Sequence, residues 1–533
     1  MNYFLIIMCF FLSLNLFSQT ESYWVFFTNK DCDNYIQLGK DALNSRLKNG
    51  ISLDQYDLSV CQKYIDSLID MNIEIRYQSR WLNAVSISIG SETILTDLDN
   101  FSFVKKVTPV RKFIKDKSVS DTNKNVLQTN RTNSSIYGPS FNQLNMLGGV
   151  DLHNQGFLGD DIIISVFDAG FNGVDMLPIF NQMWDNSQII DMYDFVGDDD
   201  DVFHGSSHGT MVLSTLVGYM PDSLIGSAPN AQYMLFRTED SDSETLVEED
   251  YWVAAAEYAD SMGTHIINSS LGYTIMYDDT LNSHSYSDMD GNSTIITKAA
   301  DLASSKGILV VNSAGNSGGN DWYYIGAPAD GDSVLAVGAV NNLGDIASFS
   351  SRGPTFDGRI KPNVCAQGVS TVVADLDSTI RLANGTSFSS PIIAGLSACL
   401  WQVNPSYTNM DIFYAIQQSA HLYNNPNDSL GYGIPNFFQA YLDVISSSLT
   451  GDFCCDLYPN PFYCDINFCS DILGVYDLKV LDISGKILFR KNIDLVQNCI
   501  KLDELAHLKN GFYLLKVQSQ NLTFCKQILK INE

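Results

Sequence analysis

The chain is 533 residues long, 45% hydrophobic and 17% charged, a composition that excludes a disordered polymer, and its length exceeds what one hydrophobic core sustains. Thirty-one basic residues stand against 61 acidic ones, a net charge of −30, which argues against nucleic acid and anionic membrane surfaces as partners. The imbalance is local. Residues 20–135 carry 15 basic and 14 acidic side chains, residues 136–449 carry 7 and 37, and residues 450–533 carry 9 and 10. The middle segment therefore attracts cations, basic substrates or calcium.

In chain order, the run MNYFLIIMCFFLSLNLFS at 1–18 is short for a membrane span and ends in small and polar residues, as a secretory signal peptide does. Export bears on the cysteines. Ten of the eleven follow this run, six of them after residue 450; their spacing fits no zinc motif, and an even number in an exported chain predicts disulfides whose pairing stays open. Residues 20–117 contain the alternating runs WVFFTNK, NAVSISI and FSFVKKVTPV between polar helical stretches, a small α+β unit. Residues 118–139 are rich in Ser, Thr and Asn and form a linker.

From 140 to 445 the texture changes. The runs IIISVFD, HIINSSLG, ILVVNSAGN and VLAVGAV alternate with helical patterns such as VEEDYWVAAAEYADSMG and ITKAADLASSKG. Buried strands alternating with helices predict an α/β fold, a doubly wound parallel sheet covered on both faces. Ligands bind at the carboxyl ends of such strands, where Asp168, Ser270 and Asn316 stand. In the tail, 450–533, VYDLKVLDISGKILFRKNI and GFYLLKVQSQNLTFCKQILKI each alternate about a turn signal, predicting hairpins with one buried face in an all-β sandwich.

Peptide hydrolysis by a serine requires an activated hydroxyl, a base oriented by a carboxylate, and donors for an oxyanion. In NGTSFSSP, Ser387 is placed to open a helix, with its oxygen near the positive end of the helix dipole. His208, in HGSSHGTMVLSTLVG, stands where a helical pattern begins; His204, also followed by glycine, is its rival. Asp168 closes the strand IIISVFD.

The order Asp168, His208, Ser387, in the settings VFDAGF, HGTMVLS and GTSFSSP with SAGN between the last two, resembles the subtilisin-like serine proteases, peptidase family S8. The resemblance covers about 140–445. It implies that Ser387 attacks the carbonyl, that His208 relays the proton, and that Asp168 orients the ring. It also implies Asn316 as an oxyanion donor, Ser270, Leu271 and Gly272 as one wall of the substrate cleft, and Ala314 and Gly315 as the other. Two positions depart from the family pattern. Ala169 replaces a usual serine or threonine, removing one hydrogen bond to the carboxylate, and Cys365 replaces a small aliphatic residue, with Cys399 as one pairing option and a free buried thiol as the other.

The flanking segments resemble that family's companions. Residues 20–117 are similar to its propeptide, which assists folding and covers the cleft until removed. The tail, with YPNP and NGFYLLKV, is similar to sorting domains of type IX secretion. The resemblance thus implies a self-processing zymogen, secreted or at the cell surface via the periplasm. Its partners would be protein or peptide substrates, its own propeptide and outer-membrane secretion machinery. Catalysis would need no cofactor and no catalytic metal. Calcium is expected only as a structural ion, with GDDDD at 197–201 and SDMDGN at 287–292 as oxygen-rich loops lacking full ligand spacing. The charge division further predicts long-range attraction between the propeptide and the acidic segment, screened by salt.

Overall fold

A computed structural model describes residues 21–110, 136–447 and 455–531, apart from 33, 91–92, 241–246, 275–283 and, in the tail, 459, 461, 471–473, 483–485, 496–498 and 519–522. The expected signal peptide, the basic stretch 111–117, most of the linker and the tips of both tail hairpins lie outside the described residues.

The N-terminal unit is an antiparallel sheet in the order β2-β3-β1-β4, built from β1 (Glu21–Phe27), β2 (Glu74–Ser79), β3 (Ala84–Ile89) and β4 (Val104–Val110). Helices α1 (Lys40–Lys48), α2 (Gln62–Ile69) and α3 (Thr93–Leu98) accompany it. Successive side chains of β1 point to opposite faces, and both faces are buried. Tyr23 and Val25 join Ile65 and Leu68 of α2 in the unit's own core. Trp24 joins Trp81, Tyr251 and Trp252 in a cluster shared with the central unit.

The central unit runs α4 (Phe141–Asn145), α5 (Gly149–Asn154), β5 (Ile163–Asp168), α6 (Asn181–Asp185), β6 (Ile189–Asp194), α7 (His208–Val217), the small hairpin β7 (Tyr219–Met220) and β8 (Leu224–Ile225), and β9 (Gln232–Arg237). It continues through α8 (Val247–Met262), β10 (Ile266–Ser269), α9 (Ile295–Ser305), β11 (Leu309–Ser313), β12 (Val334–Val340) and β13 (Val364–Gln367). The hairpin β14 (Thr371–Ala374) and β15 (Ile380–Ala383) then leads to α10 (Thr386–Val403), α11 (Asn409–Gln418) and α12 (Phe437–Ser447). Seven strands form one parallel sheet in the order β13-β12-β11-β10-β5-β9-β6. Adjacent residues of one strand serve different layers. Val166 packs with Val212 of α7 and Ile392 of α10, whereas Phe167 packs with Trp252 of α8 and Ile296 of α9. Helices thus cover both faces, as the alternating pattern predicts.

The tail forms two sheets, β16 (Cys455–Tyr458), β17 (Ile466–Ser470) and β20 (Cys499–Leu502) in one, and β19 (Ile487–Leu495), β18 (Gly474–Leu481), β21 (Gly511–Gln518) and β22 (Thr523–Lys530) in the other. Phe462, Ile466 and Phe468 interleave with Tyr476, Leu478, Val480 and Leu515 in one core between them, the expected sandwich. Disulfides join Cys32 to Cys61 and Cys469 to Cys499, the second between directly opposed residues of β17 and β20.

Candidate active site

Asp168 is the last residue of β5 and is buried. One of its oxygens accepts the Ala169 amide at 2.8 Å. His208 opens α7, and its Nδ1 lies 2.8 and 3.0 Å from the two Asp168 oxygens. A carboxylate only accepts, so Nδ1 carries the proton and Nε2 is left as an acceptor. The contact depends on Gly209: a Cβ there would stand 2.4 Å from the Gly170 carbonyl and 2.9 Å from Asp168 Cβ, so α7 reaches the end of β5 only without a side chain. The imidazole is 30% exposed and leans on the Phe388 ring at 5.8 Å. Burial pulls the imidazolium pKa down, but the charge and hydrogen bond of Asp168 outweigh it and the net shift is upward. His204 is 45% exposed and pairs with Asp194 at 3.2 Å, which separates the rival histidine from Asp168.

Ser387 is the second residue of α10, after Gly385 as N-cap. Its hydroxyl donates to the Ser270 carbonyl at 3.3 Å, and the Ser270 hydroxyl donates to the Ser387 carbonyl at 2.9 Å. Pro391 explains the second bond. Four residues on, it has no N–H to offer the Ser387 carbonyl, and Ser270 fills that vacancy. Asn316, three residues past β11, accepts from both the amide and the hydroxyl of Thr386 at 3.0 Å through Oδ1. These two donors fix the amide's orientation, so Nδ2 faces away from the helix backbone. The Ser387 amide, in the first turn, has no intrahelical acceptor.

The remaining expected residues form two edges, one after β10 and one after β11. Leu271 offers its carbonyl to Asn312 Nδ2 at 3.0 Å. Past the exposed Gly272, the bridge between Tyr273 and Ala327 closes that edge. On the other edge Ala314 is buried and its amide donates to the Val337 carbonyl at 2.9 Å. Gly315 adopts φ +103°, and a Cβ there would meet Ser351 Oγ at 2.9 Å, so both conformation and space require glycine. The sheet thus gathers Asp168, Ser270 and Asn316 at its carboxyl edge with the N-termini of α7 and α10.

The sequence profile of the subtilase family matches residues 159–433, more than half of the chain. The chain belongs to the subtilase family. The profile of the S8 propeptide domain of Bacteroidota matches residues 22–128, and that of the secretion system C-terminal sorting domain matches 456–531. The chain is 26% identical over 413 residues to Subtilisin E of Bacillus subtilis (strain 168), covering 77% of this chain and 93% of that one. It is 30% identical over 272 residues to Subtilisin of Bacillus pumilus, covering 50% and 87%. Against the thermophilic serine proteinase of Bacillus sp. (strain AK1) the identity is 30% over 257 residues, covering 48% and 57%. This subtilase is therefore a serine endopeptidase carrying a propeptide domain and a sorting domain, the latter marking a secreted or cell-surface protein. Among the described residues no helix is long and apolar enough to cross a membrane.

Several residues of this subtilase's site escape a reading of the sequence. Thr386 holds Asn316. Asn268, buried in β10, accepts from Ser390 at 3.0 Å and approaches Ser270 at 3.4 Å; a polar amide inside an apolar strand is the signal that marks it. Arg237, opposite Asp168 across the sheet, pairs with buried Asp194 at 2.7 Å. Asp194, Asp199 and His204 offer ligand atoms within 4.8 Å of one another. Asp194 also receives Arg237 and the amides of Val196 and Gly197, so a guanidinium already faces the buried member of this group. In SDMDGN, Asp290 accepts the amides of Asn292 and Ser293, and Asp288 caps Ser285. These carboxylates brace turns. Cys365 and Cys399 are free and buried, and burial pushes the Cys365 thiol up to about 12.

Proposed function

We propose that the chain is a secreted, self-processing zymogen whose central unit, 140–445, hydrolyses internal peptide bonds through Ser387, His208 and Asp168. The carrying observation is the Asp168–His208 pair held at 2.8 Å on the cleft that Ser387 opens. The substrate backbone lies between the 270–272 and 314–315 edges, with the scissile carbon over Ser387 Oγ. Engagement draws that hydroxyl from the Ser270 carbonyl to His208 Nε2. His208 takes the proton as the C–O bond of the tetrahedral intermediate forms, and Asp168 stabilises the imidazolium. The oxyanion meets the Asn316 side-chain amide and the Ser387 backbone amide. Loss of such a side-chain donor, measured in a subtilisin itself, lowers turnover about 10²- to 10³-fold. His208 then returns the proton to the leaving amine, and water attacking the acyl-enzyme regenerates Ser387.

In this reading residues 20–117 are the inhibitory propeptide, 118–139 the linker that is cut, and 450–533 the sorting domain engaging the outer-membrane export machinery after a signal peptide at 1–18. Ser387→Ala tests the whole. The variant is expected to fold, to accumulate with its propeptide attached, and to show no casein hydrolysis. A variant that processes itself and cleaves casein like the wild type would exclude Ser387 as nucleophile.

A further inference from the structure

The seam between the propeptide domain and α8 is rich in buried charge, and its carboxylates are not equally matched. Asp260 lies 2.7 Å from both Arg46 and Arg80, guanidiniums that it shares with Asp57 and Glu257. Glu257 accepts the Arg80 amide at 2.9 Å and the Ser79 hydroxyl and has the Arg80 guanidinium at 3.5 Å. Asp250, in the first turn of α8, is different. It accepts from Trp24 Nε1 and, at 3.2 Å, from Ser86 Oγ, two neutral donors, and among the described residues its one cation is Arg76 at 3.7 Å. All of these partners belong to the propeptide domain. Docking therefore covers Asp250 without supplying a full counter-charge.

A cavity of about 260 Å³ opens beside it, lined by Trp24, Pro109 and Val110 from the propeptide domain and by Glu249, Asp250 and His284 from the protease. His284 Nε2 stands 2.5 Å from Glu249, and Asp288 also faces the cavity. Tyr251, next on α8, takes a hydrogen bond from Arg76 at 3.3 Å. The His284–Glu249 pair lies wholly on the protease and does not need the propeptide to form. Desolvation raises the Glu257 and Asp260 carboxyls as well, but Asp250 has the most distant guanidinium of the three, at 3.7 Å against 3.5 and 2.7 Å.

We propose that this seam takes up a proton at Asp250 as it closes, so that the propeptide domain is gripped more tightly in acid and loosened as pH rises. Desolvation raises the seated carboxyl, against the opposing pull of Arg76, Trp24 and Ser86, to about 7. An uncovered aspartate titrates near 3.9. The closed form binds the extra proton, so its advantage is full in acid and is lost as pH climbs through the closed-state value. The proposal rests on residues 20–117 acting as the propeptide.

The test uses the full chain carrying Ser387→Ala, which keeps propeptide and protease joined. Deuterium exchange of the β1–β4 amides is followed from pH 5 to 8, with the intrinsic pH dependence of exchange divided out. The opening constant is expected to grow nearly tenfold per pH unit from about pH 5 to 6.5 and to level off above about 7. Adding Asp250→Asn is expected to remove this slope and hold the seam at its acid-side tightness. If that variant does not fold, Trp24→Phe serves instead: it deletes a donor to the ionised carboxylate and should move the levelling-off to higher pH. A flat profile in the Ser387→Ala chain, or a slope unchanged by Asp250→Asn or Trp24→Phe, would overturn the proposal. Failure of the underlying reading looks different: a wild-type chain that hydrolyses peptides at full rate with the propeptide domain still bound would end its inhibitory role while leaving the proton uptake intact.

Discussion

His208 shows how one contact sets a measurable property of the site. Its net upward shift comes from Asp168 outweighing burial, and the base works only when neutral. Activity is therefore expected to be low in acid and to rise through a pKa above the ordinary histidine value of about 6.5. Asp168→Asn withdraws the charge, so any remaining activity should have its acid limb displaced to lower pH, with turnover down by about 10⁴-fold, the figure known for the same change in another serine protease. The pH dependence of kcat/KM for a small peptide substrate measures both; an acid limb that stays in place in the variant would contradict this role for Asp168. The positions of Asp168, His208 and Ser387 were legible in the sequence because each sits at a strand end or helix start. Thr386 and Asn268 were not, since their contribution is a hydrogen bond to another site residue across the fold, and spacing along the chain carries no record of it.

Elements were legible in proportion to their apolar continuity. β5, β10, β11 and β12 are buried along nearly their whole length and stand out as unbroken runs. β6 (IIDMYD) is a partly exposed sheet edge, and β13 (VCAQ), though as short and as buried as β10, has a single β-branched residue; neither offers a β-branched or alternating run. The seam along α8 was legible only as a difference of charge between segments. Its ion pairs turn out to be buried, and buried pairs are screened little by salt, so salt should act on the long-range part of the attraction alone. Asp260 is the strongest test of the short-range part. Replacing it by Ala removes the nearest carboxylate from two buried guanidiniums, leaving Arg46 with Asp57 at 3.3 Å and Arg80 with Glu257 at 3.5 Å, and is expected to weaken docking by about 3 kcal/mol, roughly two orders of magnitude. Deuterium exchange of the propeptide sheet in the Ser387→Ala chain reads this directly, and unchanged protection would show that the apolar contacts of Trp24 and Trp81 hold the seam without the ions.

At the scale of the molecule, the proposed reading gives three parts the tasks of export, restraint and chemistry. The tail has its own core between two sheets and its own disulfide, so removing 450–533 is expected to leave the protease foldable and active but retained in the periplasm. Fractionation of cells expressing the truncated chain checks this; normal appearance outside the cell would make the tail a binding module rather than an address. Everything else depends on Ser387 being a nucleophile activated by His208. The most direct measurement is covalent labelling of the processed wild-type protein with a fluorophosphonate, followed by mass mapping of the modified peptide. One adduct is expected, on Ser387, its formation falling by orders of magnitude in His208→Ala and unaffected in His204→Ala; an adduct on another residue, or equal labelling without His208, would contradict this mechanism.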